Sequence, residues 1–504
     1  MTSIRLSFFF SDKSIRKRDG EKMKTYAPAM DLALCELLEL GRVTIPPGGN
    51  ISITGRDPVF PTPFLLGKAA ATVLAAQGAA ISSIWHQRSG RSQAVSVDIA
   101  DAAVSLKSVV HLRQRGYPVP YPDEAYPLTN FFRCRDGRHI FMHAGYPHLR
   151  DGLLKLLNCP NEAASIAEAV STWDSAALED AIAKAKLCGG IARSEDEWLN
   201  TPQGRLLASQ PVIEIERIGD SAPEAMGAAR RPLEGIRVLD LTHVLAGPMC
   251  TRTLAEQGAT VLRVRPPAHP VIPSFVMDTG HGKLSTLLDL TQTPDAERLN
   301  GLLKSADIFV QSYRPGTMAG LGFSAEAAAR QRPGIVYVSF SCYGESGPWG
   351  ERGGWEQLAQ SVTGMAFAQG SADNPTLSPV YPNDYITGYL GAYGALAALL
   401  MRAREGGSYH VRVSLCRSAM WTQSFGRLLP HEWQPVPGPS AELLGRLETT
   451  RETPYGMLRF MGPITSYSET KPYWEFPSAP MAAHSPVWPE NSPIIYNAPD
   501  PIRL

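Results

Sequence analysis

From Leu233 onward the chain alternates short runs of β-branched and aliphatic residues with helical patterns: "IRVLDL", then "GPMCTRTLAEQGA" closed by a glycine, then "TVLRV". The alternation continues through "STLLDL", the segment "TPDAERLNGLLKSA" with Thr293 and Pro294 marking a helix start, "DIFVQSY", "SAEAAARQRP" and "GIVYVSFS". Strands and helices taking turns predict an α/β fold: a doubly wound, Rossmann-like parallel sheet covered on both faces. Ligands of such sheets sit beyond the carboxyl ends of the strands, which here means residues 242–248, the turn after Val264, and residues 312–316 and 341–348. Three of these four segments set Gly beside Pro. They are read either as close approaches to a ligand or as plain tight connections.

A repeat organises the rest of the pattern. "FLLGKAAATVLAAQGAAISSIWHQRSGRSQAVSVD" and "YPNDYITGYLGAYGALAALLMRAREGGSYHVRVSL" superimpose without a gap, so that Gly78 meets Gly394, Gly90 meets Gly406, Ser92 meets Ser408, and Val95 and Val97 meet Val411 and Val413. In this register Asp384 faces Lys68. Between the copies, residues 120–215 predict a smaller α+β domain, with the hairpin "NFFRCRDGRHIFMHA" turning at Asp136-Gly137 and helices after it. The expected organisation is a tail or helix over 1–45, a first partial unit over 46–215, a linker over 216–232, a second unit over 233–428 and a Pro-rich extended arm over 429–504. The arm rests on composition, since 14 of the 42 prolines fall in residues 430–504.

Composition narrows the function classes. Across 504 residues, 48 Lys and Arg balance 48 Asp and Glu, so no global field draws the chain to nucleic acid or to an anionic membrane. No run reaches the roughly 20 apolar residues of a membrane span, and the nearest, 389–401, reads as a buried helix. Seven scattered cysteines without a C-x-x-C pair argue against a disulfide framework or a zinc site and for a reducing, cytoplasmic setting. The short apolar run Phe8 to Phe10 and the mixed charges after it read as a solvated tail, with a targeting segment as the alternative reading.

Asp384 is the candidate reactive group. An aspartate at a helix start is read in two ways, as an N-cap holding orphan amides or as a partly buried carboxylate nucleophile beside a thioester. The segments "PLEGIRVLDLTHVLAGPMCTRTLAEQGATVLRV", "GKLSTLLDL", "ADIFVQSYRPGTMAGLGF", "PGIVYVSFSCYGESGPW" and "NDYITGYLGAYGALAALLMRAREGGSYHVRVSL", in this order, resemble the class III CoA-transferases, the CaiB/BaiF family. The first half, from about residue 60 to 215, resembles the later portion of the same family, so the chain looks like a fused, permuted pair.

That resemblance implies a transferase that moves CoA from an acyl-CoA donor to a carboxylic acid acceptor through a covalent intermediate on Asp384, with CoA as substrate and no metal. Lys68 cannot play that part, which leaves one competent site per chain. The resemblance also implies CoA contacts at His243, Val244 and Ala246 in "THVLAGP". Lys283 and Arg314 are candidates for phosphate or adenine contacts, with ordinary ion pairs as the alternative reading for both. Family enzymes form interlocked dimers, so the chain is expected either as a homodimer or as an intramolecular pseudo-dimer in which the first copy's small domain packs near Asp384. Two departures stand out: Arg265 occupies a position where the family carries an acid, and a glycine-rich closing loop is missing.

His143 and His148 in "HAGYPH" are read either as site-lining or as structural residues. Other readings are an α-methylacyl-CoA racemase, which needs a histidine working with the aspartate, and a non-catalytic CoA-binding paralogue. The first strand carries no G-x-G-x-x-G turn and the chain no G-x-S-x-G elbow, which argues against a nicotinamide dehydrogenase and a serine hydrolase.

Overall fold

A computed structural model of the chain describes residues 32–119 and 127–489. The expectations for residues 1–31 and for the last part of the arm, 490–504, lie outside the described residues.

The central element is a seven-stranded sheet. Its order is Lys283–Leu287, Thr260–Arg265, Arg237–Leu241, Ile308–Gln311, Val336–Ser341, Ser408–Ser414 and Glu214–Gly219. The first six are parallel and the last is antiparallel. Counted along the second unit, the parallel strands run 3-2-1-4-5-6, the order whose direction reverses between strands 1 and 4 and leaves a crevice there. Buried Val, Leu and Ile on the central strands read as near-continuous apolar runs because helices cover both faces. The strand Glu214–Gly219 starts before the expected linker and runs into it. Its polar, half-exposed residues hid it from a reading based on hydrophobic alternation, and it serves as the antiparallel edge of the large sheet.

The two copies share one packing geometry. The long helices Leu66–Ser89 and Pro382–Glu405 are buried along nearly their whole length, and the Gln77 amide donates to the Tyr389 carbonyl between them at 2.6 Å. In the first copy a methyl group on Gly78 would lie 2.3 Å from Val95 Cγ1, and in the second one on Gly394 would lie 2.5 Å from Val411 Cγ1. Glycine is therefore needed at the same place in both copies so that helix and strand can touch. Around the first copy's strand Ala94–Asp98 only a three-stranded sheet forms, with Asn50–Thr54 parallel on one side and Ser466–Tyr467 antiparallel on the other.

The small domain is an antiparallel sheet of Asn130–Arg133, His139–Met142 and Gly189–Ile191 with helices beside it. It leans on the second unit: Arg193 N donates to Ser361 O at 3.0 Å, and Leu358 shares its core. The segment expected as an extended arm contains a helix, Ala441–Leu447, and a hairpin, Glu448–Thr453 with Gly456–Met461. Residues 468–489 run without regular elements over the second unit, where Tyr473 N reaches Glu256 O and Trp488 Nε1 reaches Leu302 O. Among the described residues one helix, Pro382–Glu405, is long and apolar enough to cross a membrane, and it lies in the core.

Candidate active site

The crevice at the strand reversal opens into a cavity of about 250 Å³. Residues 243–247, after the first parallel strand, form one wall, and residues 312–315, after the fourth, form another. Tyr146, His148, Leu149 and Cys188 reach in from the first copy's small domain, while Trp355, Glu356 and Asp384 come from the second unit. The small domain of one copy thus lies against the aspartate of the other.

The helix that carries Asp384 begins at Pro382, with Tyr381 at its N-cap and no side-chain cap. Asp384 is therefore inside the first turn, and among the described residues its carboxylate accepts no hydrogen bond. The capping duty falls instead on Glu356, whose carboxylate accepts Asp384 N at 2.9 Å, Asn383 Nδ2 at 3.3 Å and Gln360 Nε2 at 2.7 Å. Asp384 lines the cavity although it is only 8% exposed. Burial pushes the Asp384 carboxyl up to about 7. Burial, and then the Asp384 charge, pushes Glu356 well above the usual carboxylate range. Both carboxyls are thus held toward their neutral forms near neutral pH, Glu356 more so than Asp384. The first copy keeps the frame without the reactive group, because Asp57 accepts Lys68 N at 2.8 Å and Gly67 N at 3.0 Å.

The loop after the first strand is tightly held. Asp240 accepts the amide and the hydroxyl of Thr242, His243 N donates to Ser312 Oγ at 2.8 Å, and Val244 takes a left-handed φ of 64°. That conformation costs a β-branched residue about 1–3 kcal/mol and is kept only where its surroundings over-determine it. The next helix, Ala246–Glu256, starts at the cavity with no side-chain cap, so its N-terminal end brings unpaired amides and the positive end of its dipole to that wall. His243, Val244 and Ala246 all line the cavity.

Arg314 also lines it, donating to Lys186 O at 2.9 Å with no carboxylate partner among the described residues. Lys283 does not reach the cavity. Its ammonium is fully buried, 2.9 Å from Asp240 Oδ2 and 2.8 Å from Pro248 O, and so braces the loop and helix from behind. Burial draws it down to about 8, a fall that the Asp240 charge opposes.

His148 lines the cavity, whereas His143 stands behind it, stacked on Trp355 with ring centroids 4.1 Å apart. Arg265, the residue standing where an acid was expected, is buried and donates to Pro270 O at 3.1 Å. Sequence reasoning missed Glu356, Trp355, Tyr146 and His269. Nothing local marks them, since Glu356 meets Asp384 across 28 residues of chain. Among the described residues no group of three or more His, Cys, Asp or Glu converges as a metal site.

A family model described as CoA-transferase family III matches residues 40–223 and 233–445. The chain is 29% identical over 428 residues to the acetyl-coenzyme A transferase nodX of Hypoxylon pulicicidum, covering 75% of this chain and 72% of that protein. It is 34% identical over 275 residues to an acyl-CoA transferase of Gibberella moniliformis, with coverage of 51% and 48%. It is 31% identical over 210 residues to the succinyl-CoA:glutarate CoA-transferase of Mus musculus, with coverage of 39% and 48%. Against the last two the chain spans about half their length. A crystal structure of the hypothetical protein Rv3272 from Mycobacterium tuberculosis matches at 30% identity with a TM-score of 0.37, over 39% of this chain and 59% of that one.

Proposed function

The chain belongs to CoA-transferase family III, and from that premise we propose that it moves coenzyme A from an acyl-CoA to a carboxylic acid through covalent intermediates on Asp384. The observation that carries the reading is the Asp384 carboxylate itself: buried, raised in basicity, without a hydrogen-bond donor among the described residues, and lining a cavity built by both copies.

The chemistry balances as four acyl transfers. An Asp384 oxygen attacks the thioester carbonyl, the C–S bond breaks, and CoA leaves as thiolate from a mixed anhydride. The thiolate attacks the aspartyl carbonyl, expels the donor acid and leaves an aspartyl-CoA thioester. The acceptor carboxylate attacks that carbonyl, again releasing thiolate, and the thiolate then attacks the acceptor carbonyl of the new anhydride to give acyl-CoA and free Asp384. The uncapped amides opening the helix Ala246–Glu256, which starts at the cavity, would serve as oxyanion donors. His243 and Arg314, which line the cavity, would contact the pantetheine arm and its phosphates. Glu356 holds the Asp384 backbone and, as the less readily ionised member of the pair, leaves the charge on the attacking group.

The test is incubation with acyl-CoA followed by hydroxylamine or borohydride trapping and peptide mass spectrometry. A modified Asp384, missing in Asp384→Ala, supports the mechanism. CoA affinity without modification would make the chain a non-catalytic binder.

A further inference from the structure

With CoA assigned to the loops after the first and fourth parallel strands, the ends of the fifth and sixth remain for the acids that trade places on Asp384. Phe340 and Cys342, at the end of Val336–Ser341, and Leu415, directly after Ser408–Ser414, all line the cavity and keep 5%, 6% and 7% of their surface. The helix of Asp384 ties this wall to the reactive group. Residues 384, 388 and 391 share one helix face. A methyl group on Gly388 would lie 2.6 Å from Ala246 O, and one on Gly391 would lie 2.4 Å from Phe340 Cζ. Both the CoA side and Phe340 are therefore reached within two turns of the carboxylate. Cys342 O accepts Cys416 N at 2.9 Å and Cys342 Sγ donates to Trp355 O at 3.9 Å, so the wall continues into the residue that precedes Glu356. Burial above all, with the Asp384 charge as a smaller cause, holds the Cys342 thiol well above its usual value, and a neutral buried thiol behaves as a small apolar group. Ser341 adds a hydroxyl to this wall but no charge. Among the described residues two guanidiniums line the cavity, and both are engaged elsewhere. Arg314, on the fourth-strand loop, donates to Lys186 O at 2.9 Å, and Arg352 lies over Trp349 at 4.2 Å with Glu179 and Asp180 at 4.0 and 3.7 Å.

We propose that Phe340, Cys342, Leu415 and Trp355 form the subsite for the body of the donor and acceptor acids, and that the chain takes monocarboxylic acids with a hydrocarbon body and rejects dicarboxylic acids of the same length. The inference rests on the transferase reading. The reacting carboxyl is met by Asp384, while the methylene and methyl groups beyond it gain by leaving water against an uncharged wall. A second carboxylate at that place would lose its hydration without a cation to replace it. The ionisable groups beside it, Asp384 and Glu356, are both acids, and a further negative charge meets them as repulsion.

The experiment is exchange of label between a free acid and its own CoA thioester, catalysed by the full chain. Butyrate with butyryl-CoA is set against succinate with succinyl-CoA, and valerate with valeryl-CoA against glutarate with glutaryl-CoA, so that each pair differs by a methyl group in place of a carboxylate. The kcat/KM for exchange is expected to favour the monocarboxylic member by about a hundredfold or more. Leu415→Ala should move the preferred chain length upward, hexanoate gaining on butyrate, with CoA affinity unchanged in calorimetric titration. Leu415→Lys should narrow or reverse the preference against dicarboxylic acids, and Leu415→Ala decides alone if the lysine variant does not fold. Exchange of succinate or glutarate as fast as its partner, or a chain-length preference that Leu415→Ala leaves in place, would overturn the inference. So would a Leu415→Ala variant that weakens CoA binding and keeps acid selectivity, since the wall would then serve CoA. Exchange without discrimination sinks only this inference, whereas no exchange with any of the four acids and no acyl trapping on Asp384 sinks the transferase reading.

Discussion

Replacing Lys283 with methionine tests whether the ligand-contacting surface stops at the loop or continues behind it. The side chains of Lys283 and Asp240 have no exposed surface, and the ammonium also donates to Pro248 O in the first turn of the helix Ala246–Glu256. Lys283→Met keeps the stem and removes the charge. Among the described residues Asp240 is then left with the hydroxyls of Thr242 and Thr251 and the Thr242 amide as donors. Breaking a buried pair in this way costs about 3–5 kcal/mol. At about 2–4 °C per kcal/mol for a unit of roughly 200 residues melting by itself, Tm should fall by about 6–20 °C. Adding Asp240→Asn to the same chain removes the stranded charge and should recover part of the loss. Scanning calorimetry gives the stability, and steady-state kinetics below both transitions gives the KM for an acyl-CoA. An unchanged Tm, a KM raised about tenfold and no rescue by Asp240→Asn is the pattern of a phosphate contact worth about 1.4 kcal/mol. That outcome would refute the assignment of Lys283 to the interior.

The Asp384 carboxyl must be ionised to attack, so kcat/KM should fall as pH drops through about 7, and Glu356→Gln should leave that limb in place, since burial is what raises Asp384 and Glu356 is still neutral while Asp384 titrates. Because the folded-state value lies above the unfolded one, the folded chain binds the extra proton and this group lowers stability progressively from about pH 4 to about pH 7. Asp384→Asn should accordingly raise Tm at pH 8 and change it little at pH 4 in melting curves. Gly394→Ala places a methyl group 2.5 Å from Val411 Cγ1. It should cost about 1–3 kcal/mol in urea unfolding despite the better helix propensity of alanine, with Val411→Ala restoring part. Trapping with labelled acyl-CoA should give one label per chain, and Lys68→Asp should add no second. The segment after Phe425 closes over that helix start, with Leu428 N on Pro63 O and Phe425 5.7 Å from the Lys68 ammonium.

The repeat could be read in the sequence because it rests on a geometric necessity: where a helix touches a strand at Gly78 and Gly394, no other residue fits, so the letters persist in register. The parallel sheet could be read for a related reason, since strands buried on both faces announce themselves as apolar runs. Partnerships made across the fold could not. Whether Lys283 reaches a ligand or a buried aspartate depends on which strands neighbour one another, and the pairing of Glu356 with Asp384 depends on a helix packed from elsewhere. The strand Glu214–Gly219 passed as linker because its edge position tolerates polar residues on both faces. The hairpin ending at Met461 was masked by the prolines around it, although "ETTRETPYGMLRFM" carries strand-forming residues on each side of a Pro-Tyr-Gly turn.

Tyr146 and Cys188 reach the cavity from one half of the polypeptide, and Asp384 from the other. The meeting of the two halves is thus governed by a tether and not by encounter, and dilution has no hold on it. Specific activity should stay level at protein concentrations where a two-chain enzyme would come apart.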